Sequence, residues 1–318
     1  MVMSSRGFRH LASRAPATIQ AGRAQYLATP AVADNESSAQ AQVFSDQAGR
    51  AFDSATKTGL IELDRGEAIG VDYPATTANL LARYLVLREG DEFEFDAQAS
   101  SVLCYVMKGS GRSFQEDEMI EWTQGDVFLM AGGTTILNEA PNSDAVLFVV
   151  TDEPLLAALG CTTLPFDEAQ VLSAHYTATT IAAQLEDIGA RAGESVAQTN
   201  LGFASSQFEA RGCVAPAIGA GFATLEPGAD QSPHCHDVDT LSLGLECESV
   251  HALVEEVQIS WVANAAMLTP AGAVHSQHNR GEQRLFSFYV QDLGPRNVRT
   301  WEPRVSHKPE LEGMEIPV

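Results

Sequence analysis

From about Pro74 the chain alternates short apolar stretches with turn signals. Tyr84-Leu85-Val86-Leu87, Val102-Leu103-Cys104-Tyr105-Val106-Met107 and Val127-Phe128-Leu129-Met130 are separated by Glu89-Gly90-Asp91, Lys108-Gly109-Ser110-Gly111 and Gln124-Gly125-Asp126. Apolar runs of about 4–7 residues at roughly ten-residue spacing predict strands, and many such strands predict an antiparallel barrel or jelly roll. Residues 179–191 change period: Ile181, Leu185 and Ile188 fall on one helical face. After Gly221 the strand texture returns and runs to about Asp292. Residues 34–56 are polar and predict an arm or linker.

The two β-rich segments repeat one plan. Glu89-Gly90-Asp91 corresponds to Glu226-Pro227-Gly228, Tyr105-Val106-Met107-Lys108-Gly109 to Leu243-Gly244-Leu245-Glu246-Cys247, and Leu129-Met130-Ala131-Gly132-Gly133 to Leu268-Thr269-Pro270-Ala271-Gly272. Order and spacing are kept while the letters differ, as an old duplication of about 140 residues would leave them. The chain then divides into 1–33, a transit peptide or disordered extension; 34–73, an N-terminal arm; 74–160, a first barrel; 161–199, a short helical linker; and 200–318, a second barrel.

Composition narrows the function. At 318 residues and 45% hydrophobic the chain can bury a core, which excludes wholesale disorder. No run reaches the roughly 18 apolar residues of a membrane-spanning helix, so no membrane partner is expected. The 42 acidic residues outnumber the 19 basic ones, and a formal charge of −23 repels a phosphate backbone, so nucleic acid is not an expected partner. Five cysteines, an odd number without a CxxC pair, point to a reducing compartment rather than a disulfide framework. The first 33 residues hold Arg6, Arg9, Arg14 and Arg23 and no acid before Asp34. They fit a mitochondrial transit peptide as well as the loose terminus of a cytoplasmic protein.

The chemistry concentrates in the second segment. His234 and His236 are two apart, so on a strand both project to one face, with Cys235, Asp237 and Asp239 turned away. His275 follows a Pro270–Gly272 turn, and Asn279 lies four residues further on. Three imidazoles at this spacing suit one divalent metal.

Gly228, His234 and His236 match the start of the first cupin motif, G(X)5HXH(X)3–4E(X)6G. Pro270, Gly272, His275 and Asn279 match the second, G(X)5PXG(X)2H(X)3N, with Asn264 in place of its leading glycine. The chain resembles the cupin superfamily over both segments, roughly 74–155 and 200–295. It looks like a bicupin: an all-β protein of two tandem double-stranded β-helix (jelly-roll) barrels. The resemblance implies metal ligands His234, His236 and His275, with Asn279 behind the turn or His275. It puts Thr240 where the motif has a carboxylate. His278 is expected at the rim. In the first copy Asp96, Gln98, Val102 and Ile136 stand at the ligand positions, so its metal site is expected to be lost.

Among bicupins the chain looks most like the gentisate and salicylate 1,2-dioxygenase group. This implies an Fe(II) centre, with Mn, Ni or Zn as alternatives, that brings together O2 and a small hydroxylated acid, aromatic in the named group. No residue beyond the metal centre need be catalytic. The Asp237-Val238-Asp239 run beside the histidines calls for an answering cation, for which Arg280 and Arg284 are the candidates. Two other readings stay open: a non-redox isomerase, lyase or hydrolase of a small oxyanion, and a binding or storage bicupin. By analogy with other bicupins, a homo-oligomer is expected. Ligand histidines must be neutral, so metal should leave as pH falls through roughly 6.

Overall fold

The computed structural model describes residues 9–10, 23, 27–28, 40–192 and 197–294. Most of the proposed extension 1–33, and residues 295–318 of the second-barrel range, lie outside the described residues. The chain forms two units, 1–40 and 41–318. In the first, Arg9–His10 pairs antiparallel with Leu27–Ala28. Among the described residues no helix is long and apolar enough to cross a membrane.

The second unit begins with β1 (Gln42–Val43), α1 (Ser45–Phe52), β2 (Gly59–Glu62) and α2 (Gly66–Ile69). The first barrel follows with β3 (Leu81–Leu87), β4 (Glu92–Asp96), β5 (Ser101–Lys108), β6 (Ser110–Gln115), β7 (Glu118–Thr123), β8 (Val127–Ala131), β9 (Thr135–Glu139) and β10 (Ala145–Thr151). Its two sheets run β11-β8-β5-β10-β3-β2 and β4-β9-β6-β7. After α3 (Glu153–Leu159), β11 (Ala174–Tyr176) and α4 (Ala178–Ala192) come β12 (Gln198–Gly202), β13 (Ile218–Leu225), β14 (Thr240–Glu246), β15 (Val250–Val254), β16 (Val257–Ser260), β17 (Ala266–Thr269), β18 (His275–Asn279) and β19 (Leu285–Asp292). These make sheets β12-β13-β19-β14-β17-β1 and β16-β15-β18.

The copies superpose as topology: β8-β5-β10-β3 answers to β17-β14-β19-β13, and β9-β6-β7 to β18-β15-β16. Matched turns share left-handed backbone, with φ of 81° at Gly90 and 72° at Gly228, 83° at Gly133 and 78° at Gly272, 92° at Gly125 and 65° at Asn264. Asparagine is among the few side chains that tolerate this region, which is why it can replace the motif's glycine.

Alternation sends one side of each large sheet into a shared core. Tyr84, Leu103 and Tyr105 of the first barrel pack with Phe222, Leu241 and Phe288 of the second. The Tyr105 and Phe288 rings stack at 4.9 Å, a contact worth about 1 kcal/mol beyond its buried area.

The arm and the linker are more structured than their polarity suggests. Met267 and Leu268 of β17 pair with Val43 and Gln42, Phe44 is fully buried, and β2 joins β3 of the first barrel. The stretch 41–62 is thus shared by both large sheets. Within the linker, α4 matches the periodic segment, with Ile181 buried and Leu185 packed on the core. The linker is not helical throughout, because β11 pairs with β8.

Candidate metal centre

The segment carrying His234 and His236 is not a regular strand. It touches β18 through two isolated antiparallel bridges, Asp230↔His278 and His234↔His275. The main chain also joins Gln231 N–H to Gln277 O, and Gly272 N–H to His236 O. Between the bridges this segment advances four residues while β18 advances three. The extra residue falls at Ser232–Pro233 and makes a bulge, and proline suits it because no N–H is needed there.

The bulge decides which way His234 points. A one-residue slip turns every later side chain to the other face of a sheet. Asp230 and His278 lie on the outer face, where the His278 ring stacks on His251 at 5.0 Å. Without the slip His234, four residues after Asp230, would face outward as well. With it, His234 sits opposite His275. His275 faces inward beside Val254, which is buried in the barrel's apolar cluster.

The first copy shows the regular alternative. There β4 pairs with β9 without a bulge, Asp96 opposite Thr135 and Phe95 opposite Ile136. Asp96 and Gln98 are exposed, while Phe93, Phe95, Ala97 and Ala99 face the apolar interior. This corrects the expectation that Asp96 and Gln98 occupy the lost ligand positions: the residue opposite the third position is Phe95.

In the second barrel the three rings converge, with centroids 4.3 Å apart for His234–His275, 4.7 Å for His236–His275 and 6.2 Å for His234–His236. Two imidazoles bound at right angles through nitrogens about 2.1 Å from one ion would have centres roughly 4.5 Å apart. Two of the three pairs agree with that figure. Among the described residues no group of three or more His, Cys, Asp or Glu side chains is already drawn up for a metal ion. The His234–His236 gap has to narrow first, and His234, the partly exposed member, has room to turn.

Each ring turns Nδ1 to a backbone carbonyl two residues away. His234 Nδ1 faces Ser232 O at 3.0 Å, His236 Nδ1 faces Val238 O at 2.7 Å and His275 Nδ1 faces Ala273 O at 3.0 Å. A carbonyl only accepts, so each Nδ1 carries the proton and each Nε2 the lone pair. Burial pushes the pKa of His236 down and that of His275 down to about 4, so both are neutral at pH 7. Asp239 and Asp237 pull His236 upward, but less than burial lowers it.

Thr240 stands in this cluster, its hydroxyl 3.3 Å from His236 Nε2. Asn279 is fully buried and holds the turn rather than His275. Its Nδ2 donates to Leu225 O and Gln283 O, at 2.9 and 2.8 Å, and its Oδ1 accepts from Gly281 N–H. His278 is engaged on the outer face by Asp230 and by the Ser276 hydroxyl, at 2.6 and 2.8 Å.

The two arginines stand apart from the histidines. Arg280 pairs with Asp230 at 2.6 Å and Arg284 approaches Glu226 at 3.8 Å. Arg280 lies five residues beyond His275, about 16 Å along an extended chain. An unforeseen cation is Arg65, just before α2. It is partly buried, its Nε has no hydrogen-bond partner, and burial lowers its pKa while Asp239 opposes the shift. Some 170 residues of chain separate it from the histidines, so no local pattern points to it.

The barrels differ inside. Central strand β10 of the first is buried along its whole length, and its interior is filled by Leu85, Val102, Phe128, Met130, Leu147 and neighbours. Central strand β19 of the second alternates buried residues with partly exposed Tyr289 and Gln291. Their partners across the sheet are small or polar: Gly219 and Thr240 beside Gln291, Gly221 and Ser242 beside Tyr289.

No protein-family model matches the sequence, nor does any curated protein. Solved structures do match. A single-residue variant of salicylate 1,2-dioxygenase from Pseudoaminobacter salicylatoxidans aligns over 85% of this chain and 88% of its own, with TM-score 0.69 and 11% identity. The same enzyme with gentisate adducts aligns over 85% of both chains, with TM-score 0.67 and 10% identity. A variant of oxalate decarboxylase from Bacillus subtilis aligns over 80% of this chain and 78% of its own, with TM-score 0.56 and 16% identity. Topology, duplicated turns and these likenesses agree: the chain is all-β and has the bicupin fold, two cupin barrels in tandem.

Proposed function

We propose that this chain is a metal-dependent bicupin enzyme whose single centre lies in the second barrel, with His234, His236 and His275 as ligands through Nε2. The observation that carries the reading is the set of three Nδ1-to-carbonyl contacts on converging rings, which fixes one tautomer for all three. The donor set fits a divalent first-row metal. Fe(II) is favoured, and Mn, Ni and Zn are compatible with the same nitrogens. Three neutral ligands leave such an ion its full charge and about three positions for substrate oxygens and O2. The chain's own contribution is to hold the rings, keep them unprotonated and enclose a small acid. The reaction proposed is dioxygenation of a small hydroxylated acid, supported by the likeness to salicylate 1,2-dioxygenase.

The likeness to an oxalate decarboxylase supports a second reading, in which the same centre acts as a Lewis acid on a small oxyanion without O2. Elemental analysis of native protein followed by oxygen-electrode assays separates them. Bound iron with O2 uptake on a hydroxy acid is expected. Turnover that continues without O2 on zinc or nickel would replace the first reading by the second, and protein without metal after growth in metal-replete medium would remove both in favour of a binding role.

A further inference from the structure

Inside the second barrel, three polar side chains keep partial exposure without spending their hydrogen bonds. Gln277 lies on β18, two residues from His275 and on the same face, opposite buried Ala252 of β15. Gln291 lies on β19 opposite Thr240, whose hydroxyl reaches His236. Tyr289 is one rung below, lying across Gly221 and Gly202, where a Cβ would come within 2.6 and 3.7 Å of its hydroxyl. Strand β19 is central to its sheet, and its other face, with Phe288 and Val290, is sealed in the shared core. Exposure at Tyr289 and Gln291 therefore opens inward, into the barrel. None of the three side chains makes a hydrogen bond with the described residues. Below this level the barrel interior is filled by Leu225, Val250, Trp261 and Leu285.

Partly exposed amides that face a barrel interior and make no hydrogen bond there are free to pair with a ligand, and a ligand that covers them without pairing leaves them unsatisfied at a cost. Two of them flank the histidines from facing sheets. Building on the metal reading above, we infer that Gln277 and Gln291, with Tyr289 beneath them, recognise the part of the substrate remote from the metal. That part is uncharged and hydrogen-bonding. The substrate class is a small acid carrying a hydroxyl or carboxamide group beyond its metal-binding oxygens, rather than one ending in bare hydrocarbon. A site built to hydrogen-bond a hydroxyl rejects the analogue that lacks it, because its own polar groups are then left unpaired.

Lactate, glycerate and mandelate share the chelating hydroxyl and carboxylate and differ only in ending in methyl, hydroxymethyl or phenyl. Their affinities for the metal-loaded full chain are measured by calorimetry, with metal content determined in parallel. Glycerate should bind at least about tenfold more tightly than the other two. Gln277→Leu and Gln291→Leu should each remove most of that preference, weakening glycerate and not lactate, while metal content stays unchanged, and Gln291→Met repeats the test with an unbranched side chain. Equal binding of the three acids, or a preference that survives in the variants, overturns the inference while leaving the metal centre standing. Absence of metal from the wild-type chain overturns the metal reading and this inference with it.

Discussion

At the scale of single residues, the proposed centre rests on three rings that share one protonation pattern. Because each Nδ1 is committed to a carbonyl, substitution of any one ring removes a nitrogen that no neighbour replaces. His234→Ala, His236→Ala and His275→Ala should each lose most bound metal at pH 7 with far-UV circular dichroism unchanged. Stoichiometric metal in all three variants would refute the ligand assignment. Proton competition works in one direction: a ring must be neutral to bind, and His275 stays neutral down to about 4. Burial lowers His236 in the same direction, so metal should be released at lower pH than an ordinary histidine pKa suggests. Dialysis against buffers of falling pH, followed by metal analysis, checks it. Asn279 contributes differently, as a buried amide tying three backbone groups together. Asn279→Ala should destabilise the fold by about 2–4 kcal/mol in urea titration, the cost of orphaning buried polar groups.

At the scale of elements, the bulge at Ser232–Pro233 distinguishes the barrel in which the three histidines converge from the one with regular pairing. Deleting Ser232 should restore regular pairing, turn His234 outward and abolish metal binding while the strand content holds; full metal occupancy in that variant would show that the slip does not orient the ligand. Much of this level was legible in the sequence. The turn signals at Gly90, Gly125, Gly133, Gly228 and Gly272 mark positions that need left-handed backbone, so duplication and strand spacing follow from them. The convergence of His234, His236 and His275 was legible for an incomplete reason. Alternation along a strand relates His234 to His236 but says nothing of their register against β18. That same omission placed Asp96 and Gln98 inside the first barrel, when they face outward. Arg280 and Arg284 are near Asn279 in sequence, and counting could not show that Asp230 and Glu226 engage them. Gln277, Gln291 and Arg65 carry no motif, and their place emerges only from the pairing of distant strands.

At the scale of the whole molecule, the first barrel has become a filled body against which the second is braced. Part of the brace is Asp292, at the end of β19. It accepts hydrogen bonds from the Thr77 hydroxyl at 2.5 Å and from the Asn79 side chain at 2.8 Å, both on the segment leading into the first barrel. Burial, aided by nearby Asp239, raises its pKa to about 6. A carboxyl raised in the fold stabilises it when protonated, and that contribution fades as pH rises past the unfolded value near 4 and through about 6. Asp292→Asn should therefore gain on the wild type between about pH 4 and pH 7, by up to about 3 kcal/mol. Urea denaturation at both ends of that range measures the difference, and a constant difference would place the titration elsewhere.

In the proposed centre three imidazoles of the second barrel bind one cation. X-ray absorption at the metal edge of protein loaded with one equivalent of Fe(II) tests it most directly. Three imidazole nitrogens are expected at about 2.1 Å, with the remaining positions held by oxygen. A shell of oxygen alone, or one imidazole or none, would contradict it.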